Sequence, residues 1–159
     1  MDKTQIHVDA LTQAAKKGAE FNITTRPDED LIPTIILVTN KDVPTGAIEV
    51  YGFAAEKEQV PAMMLKALVE RQAEAYALVV EAWASSFAEE AKKYNYKIRD
   101  MPEDDKYEIV NIFAVSRDKG CLSYSVSKIE RLGTGERKLK GWEEGSPEGV
   151  SGPFVILNW

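Results

Sequence analysis

Few side chains in this chain could do chemistry, and most of them lack partners. His7 is the only histidine and Cys121 the only cysteine. A Ser-His or Cys-His nucleophile system would have to use His7. The simplest reading of His7 is a surface or partly packed side chain on a helix. Gly145-Ser146-Pro147-Glu148-Gly149 has its serine in the wrong place for a nucleophile elbow. One His and one Cys cannot fill the four positions of a zinc site. Cys121, with Lys119 as its basic neighbour, reads as a small buried hydrophobe.

Carboxylates remain. Asp28-Glu29-Asp30 and Glu103-Asp104-Asp105 are acidic turns, and hard cations take carboxylate oxygens. Neither has EF-hand spacing, so both read as solvated loops. Gly133-Thr134-Gly135 with Arg137, Lys138 and Lys140 could form a small anion nest, but it is neither a P-loop nor a dinucleotide fingerprint. Met63 and Met64 read as core filler rather than soft-metal ligands. No metal or other cofactor is expected.

Glu81 is the sharpest candidate. It lies in Ala75–Ser86, AYALVVEAWASS, the most apolar stretch in the middle of the chain. A carboxylate there must be paired, protonated or at an open face, because burying it alone is costly. One reading is a cleft carboxylate with a raised pKa beside Trp83 and Ser85. The other is a structural Glu bonded to a cation, to backbone N–H groups, or exposed on a sheet face. The expected cationic partners are Arg99, Lys106 and Arg131. With Glu108, these make the candidate set Glu81, Trp83, Ser85, Arg99, Lys106, Glu108 and Arg131.

The element that positions Glu81 reads as a central strand. Leu78, Val79 and Val80 suit a strand covered on both faces. Alternation sets Tyr76, Leu78, Val80, Ala82 and Ala84 on one face, and Ala77, Val79, Glu81, Trp83 and Ser85 on the other. A rival reading is one long helix from Val60 through Tyr94, favoured by its many alanines. Such a helix without internal caps is unusual, and the strand reading is preferred.

The flanking elements follow from periodicity. Thr4–Lys17 reads as a helix with Ile6, Ala10, Leu11, Ala14 and Ala15 on one stripe, Thr4 as its cap and Gly18 as its stop. Pro33–Thr39 and Ala47–Phe53 read as strands joined by the turn Asn40–Gly46. Gln59–Gln72 reads as a second helix whose apolar face is Val60, Met63, Met64, Ala67 and Leu68. Phe87–Tyr94 reads as a short helical turn. Tyr107–Ser116 and Cys121–Glu130 form a hairpin around Arg117–Gly120. Leu132–Gly152 holds six glycines and reads as a long surface loop. Pro153–Trp159 reads as a last, internal strand.

These elements predict one α+β domain over residues 1–159, with 133–152 as a Gly-rich surface loop. The predicted architecture has two layers: a mainly antiparallel sheet of about six strands, and two main helices on one face. The length of 159 residues allows a sizeable core. The net charge of −6 argues against nucleic acid or an anionic membrane as partner. A lone cysteine excludes an internal disulfide and points to a reducing cytoplasm. The N-terminus lacks a signal-peptide pattern.

The order PTIILVTN, AYALVVEAWAS, MPEDDKYEIVNIFAVSRDKG, LKGWEEG and GPFVILNW resembles a family of small bacterial, archaeal and phage proteins with no established activity. That family has a strand ending Glu-Ala-Trp, here Glu81, Ala82 and Trp83. A loop follows with a Pro, an acid and a basic residue, then a Glu opening the next strand: here Pro102, Asp105, Lys106 and Glu108. The resemblance spans roughly residues 33 to 159. The chain departs from it at Lys106, where Arg is usual, and in the long segment Phe87–Tyr96. The resemblance supports the strand and implies no chemistry. The expected function is a non-enzymatic cytoplasmic domain that binds a protein or forms a homodimer. The alternative is a small hydrolase or lyase using Glu81 as acid or base, with or without a divalent cation.

Overall fold

A computed structural model describes residues 3–39, 47–85, 88–93, 95, 97–148, 150 and 152–159, with the side chains of 3–6, 47, 88 and 91 excepted. The Asn40–Gly46 turn and the Thr4 cap predicted from the sequence fall outside what is described. The elements in order are α1 (Lys3–Thr25), β1 (Thr34–Thr39), β2 (Ala47–Gly52), α2 (Val60–Glu70), β3 (Ala73–Ala84), α3 (Ala88–Lys93), β4 (Tyr107–Ser116), β5 (Gly120–Arg131), β6 (Arg137–Leu139) and β7 (Glu143–Gly145). They build an α+β fold around one antiparallel sheet, ordered β2-β1-β3-β4-β5-β6, with β7 also paired to β5.

β3 is the inner strand that its apolar run implies. It pairs with β1 on one side and β4 on the other. The rival helix does not form. α2 stops at Glu70, Gln72 takes a left-handed φ of 51°, and the strand begins at Ala73. Alternation along β3 sorts as expected: Tyr76, Leu78 and Val80 join one apolar cluster, and Ala75, Ala77 and Val79 the other.

Those two clusters correct the expected layering. α1 packs on one face of the sheet, through Val8, Leu11, Ala15, Ala19 and Ile23 against Ile36, Val38, Ala77, Val79 and Ile112. α2 packs on the opposite face, through Val60, Met64 and Leu68 against Ile35, Leu37, Tyr76 and Leu78. The sheet lies between the helices rather than beneath both. The physical reason is in β1 and β3: both faces of each are apolar, so each face needs its own cover.

α1 also runs past its predicted stop. Gly18 costs about 1 kcal/mol in a helix interior, but Ala19 and Ile23 continue the buried stripe beyond it. The stripe is Val8, Leu11, Ala15, Ala19 and Ile23, whereas Ala10 and Ala14 face solvent. In α2, Val60, Met64 and Leu68 are buried and Met63 is exposed.

The C-terminal half departs from expectation twice. Within residues 133–152, β6 and β7 each pair three residues with β5, so that stretch is partly sheet. Residues 153–159 are not a strand. They lie irregularly across the α2 face, with Phe154, Val155, Ile156 and Trp159 packed on its core. Tyr76 ties them down: its hydroxyl donates to the Phe154 carbonyl at 2.7 Å and accepts from the Ile156 N–H at 2.9 Å. The Trp159 indole N–H donates to the Ala73 carbonyl at 2.7 Å. A continuous apolar run can cover a sheet as well as join one, and periodicity does not separate the two.

Candidate functional site

Glu81 emerges on the α1 face near the end of β3, where the apolar cluster gives way to a row of charges. Register places Glu81 beside Val110, and Trp83 beside Glu108, on that same face. Opposite them, β5 and β6 contribute Arg131 and Arg137, which are register partners. The result is two ion pairs at different depths.

The deeper pair is Arg137 with Glu81. The Arg137 side chain is wholly buried, and that of Glu81 is only 12% exposed. Arg137 Nη1 donates to Glu81 Oε1 at 3.1 Å. Its Nη2 donates to the Arg26 carbonyl at 3.1 Å and also to the Glu29 carbonyl. Glu81 Oε1 accepts the Leu31 N–H at 2.9 Å. One guanidinium and one carboxylate thus fasten the loop between α1 and β1 to the sheet. Burial pushes the Glu81 carboxyl above its ordinary value, against the Leu31 N–H and the Arg137 charge, which favour ionisation. Arg137 Nε has no hydrogen-bond partner among the described residues.

The shallower pair is Arg131 with Glu108, a bidentate contact of 2.7 and 2.8 Å. Lys106 does not reach Glu81. Its ammonium sits 4.3 Å from the centre of the Trp83 ring and donates to the Arg99 carbonyl at 2.7 Å. Ser85 is buried and donates to the Asp105 carbonyl. The expected partners of Glu81 are therefore corrected: among the described residues Lys106 and Arg131 bond elsewhere, and the cation bonded to Glu81 is Arg137 rather than Arg99, Lys106 or Arg131. From sequence, Arg137 reads as part of a loop nest with Gly133-Thr134-Gly135. Its only strand signal is the alternation Arg137, Lys138, Leu139, with one apolar residue, which is too short to read.

A cleft of about 130 Å³ opens beside this cluster, lined by Asp30, Leu31, Lys57, Glu81, Trp83 and Glu108. Ligand pockets usually run to roughly 300–1,000 Å³, so the cleft suits water or a very small molecule. The Lys57 ammonium is held at its rim by the Glu81 backbone carbonyl at 2.7 Å. Among the described residues no three His, Cys, Asp or Glu side chains are grouped to hold a metal ion. His7 lies 3.8 Å from Glu74, far in sequence from both ion pairs. Burial pushes the Cys121 thiol up, away from thiolate character.

The second feature is the sheet edge at β2. Among the described residues β2 pairs only with β1. α1 lies chiefly over β3 and β4. Ile48 and Val50, register partners of Val38 and Ile36 on the α1 side, are accordingly 58% and 64% exposed. Ile32 beside them is 48% exposed, and it lines a hollow of about 320 Å³ with Asn22 and Val50. On the other side of β2, Glu49 is bound to Arg71 of α2. No described helix is long and apolar enough to cross a membrane. Compared with family models, curated proteins and solved structures, the chain matches none.

Proposed function

We propose that the protein works as a self-associating binding domain, and that its contact surface is the β2 edge. The observation that carries this reading is the coincidence of a strand edge without a further partner strand among the described residues with the exposed Ile48, Val50 and Ile32 on one side of it. Open N–H and C=O groups on an edge are a template for a further strand, and proteins that remain monomeric blunt such edges. β2 carries neither Lys nor Pro. An antiparallel β2–β2 pairing across a two-fold axis at Glu49 would set Ile48 of each copy against Val50 of the other. The two Glu49 carboxylates would meet on the opposite side, where each already has Arg71 beside it.

A second reading keeps the hydrolase or lyase, with Glu81 as acid or base. It draws on the raised Glu81 carboxyl and the adjoining cleft. We prefer association because Glu81 is committed to Arg137 and Leu31 as a fastening. The test is solution mass. Light scattering at micromolar concentration should give twice the 17.7 kDa of the chain. Val50→Lys and Ile48→Lys, both at exposed positions, should give the single-chain mass with an unchanged melting curve. A parent protein of single-chain mass, or lysine variants that still dimerise, would overturn the proposal.

A further inference from the structure

Among the described residues the α2 face of the sheet is only partly covered. α2 and the C-terminal segment lie over β1, β3 and the Phe113–Val115 end of β4. The other end of β4 and the adjoining part of β5 form the floor of an open groove of about 640 Å³. That volume falls within the usual range of ligand pockets, roughly 300–1,000 Å³. It lies on the opposite face from the Glu81 cluster and away from the β2 edge.

The groove has a preset shape. Ile109 and Val126 supply its apolar floor, and Tyr107, Tyr124 and Trp142 its rings. Tyr124 is held on three sides. Its ring stacks on Phe113 with centroids 5.2 Å apart and planes 16° from parallel. Its hydroxyl donates to Asn111 Oδ1 at 2.9 Å. Its ring lies against Gly145 of β7, where any Cβ would collide with it. Asn111 itself is buried.

The charge at the groove is specific. Lys128 and Lys140 both line it, and the Lys140 N–H donates to the Lys128 carbonyl at 3.0 Å, tying the residue after β6 to β5. The Lys128 ammonium lies 4.4 Å from the centre of the Tyr107 ring. Among the described residues neither lysine has an acidic partner within 4 Å. Among the described residues Glu143 is the one acid in the lining. The groove is thus cationic by one charge in a chain whose net charge is −6. Two lysines without acidic partners beside two tyrosine rings on an apolar floor match a flat ring that carries a negative group.

We infer that this β4–β5 groove is a binding site for small planar aromatic carboxylates. The ring would lie on Ile109 and Val126 against the tyrosines, and the carboxylate would sit between Lys128 and Lys140. The inference does not rest on the β2 edge, and it holds for a monomer or a dimer.

The experiment is an amide chemical-shift titration of the full chain with naphthalene-2-carboxylate and, separately, with naphthalene-2-carboxamide. The carboxylate should move the amides of Ile109, Tyr124, Val126, Lys128 and Gly141 in a saturable manner. The carboxamide should bind about tenfold more weakly, the equivalent of about 1.4 kcal/mol. The double variant Lys128→Gln with Lys140→Gln should lose that preference and keep the carboxamide affinity. Both lysines are exposed, so an unchanged spectrum elsewhere will show that the variant is folded. Tyr107→Leu should weaken both ligands. Any of three results would overturn the proposal: no saturable shifts at millimolar carboxylate, shifts centred outside the groove, or equal affinity for acid and amide that the lysine variant leaves untouched.

Discussion

Replacing Arg137 with Met is the most informative single perturbation of this fold. The side chain is wholly buried, and its donors go to Glu81 Oε1, the Arg26 carbonyl and the Glu29 carbonyl. Met fills similar volume and supplies none of these bonds. Breaking a buried pair by removing one partner costs about 3–5 kcal/mol, because the other charge is stranded. The two carbonyls lose their guanidinium partner as well, at about 1–3 kcal/mol for each that water cannot reach. These terms overlap, so the expected loss is about 3–5 kcal/mol, from a domain stability of about 5–15 kcal/mol. Glu81→Gln should cost less, about 1–3 kcal/mol, since the amide oxygen still accepts from Leu31 and Arg137. The double change Arg137→Met with Glu81→Leu should recover much of the loss, because a well-packed apolar pair often equals a buried ion pair. The loss should also depend on pH. The folded-state Glu81 carboxyl is already raised above its ordinary 4.5, and removing the cation raises it further. A raised folded-state value gives stability that is fully present below the unfolded value and is lost as pH rises through the folded one. Arg137→Met should therefore be most destabilised near neutrality and recover part of the loss on acidification toward pH 4.5. Urea unfolding of the parent, of Arg137→Met, Glu81→Gln and Glu81→Leu, and of the double variant Arg137→Met with Glu81→Leu, at neutral pH and near pH 4.5, measures all of this. A Met variant within about 0.5 kcal/mol of the parent, or single-variant losses that simply add in the double, would refute the fastening.

Other consequences follow from the segments that close the two faces. Tyr76→Phe removes the hydroxyl that holds Phe154 and Ile156, and should cost about 1–3 kcal/mol with earlier cleavage of the C-terminal segment in limited proteolysis. Truncation after Gly152 uncovers Tyr76 and the α2-face core, and should give unfolded or insoluble protein; a truncated chain with the parent's melting curve would contradict that packing. Gly145→Ala drives a methyl group into the Tyr124 ring, so it should cost about 1–3 kcal/mol and shift the Tyr124 and Asn111 resonances, while Gly133→Ala, where nothing lies within 4 Å, should not.

What could be read from the sequence divides along the length of each hydrophobic signal. β3 and β4 are long and apolar, and β4 occupies the predicted Tyr107–Ser116. The hairpins β1–β2 and β4–β5 follow from apolar, β-branched or alternating runs on either side of turn-forming residues. The placement of the two helices was not legible, because an amphipathic stripe states that a face is buried and not which side of the sheet buries it. Evidence for two covers was nonetheless present. Ile35, Ile36, Leu37 and Val38 form an unbroken apolar run, and a strand with no polar face cannot leave either side to water. Gly18 misled for a related reason, since a local stop signal worth about 1 kcal/mol yields to the buried stripe that continues past it.

The site was legible at one end only. A carboxylate at the close of an apolar strand demands a partner, and Glu81 has one. Which cation supplies it depends on a contact between residues far apart in sequence, through a strand of three residues. Proximity in sequence favoured Arg99 and Lys106, which precede the strand next to β3. Those residues serve Trp83 and their own loop instead. Arg137 is suited to the buried position because a planar guanidinium can serve a carboxylate and two carbonyls together, whereas an ammonium is a strongly hydrated point charge. The same reasoning predicts that Lys cannot replace it. Arg137→Lys keeps the charge but supplies three donors in place of five, and it should retain only part of the stability. Its urea midpoint should lie between those of the parent and Arg137→Met. A Lys variant equal to the parent would mean that charge alone, and not the geometry of the guanidinium fork, holds the α1–β1 loop on the sheet.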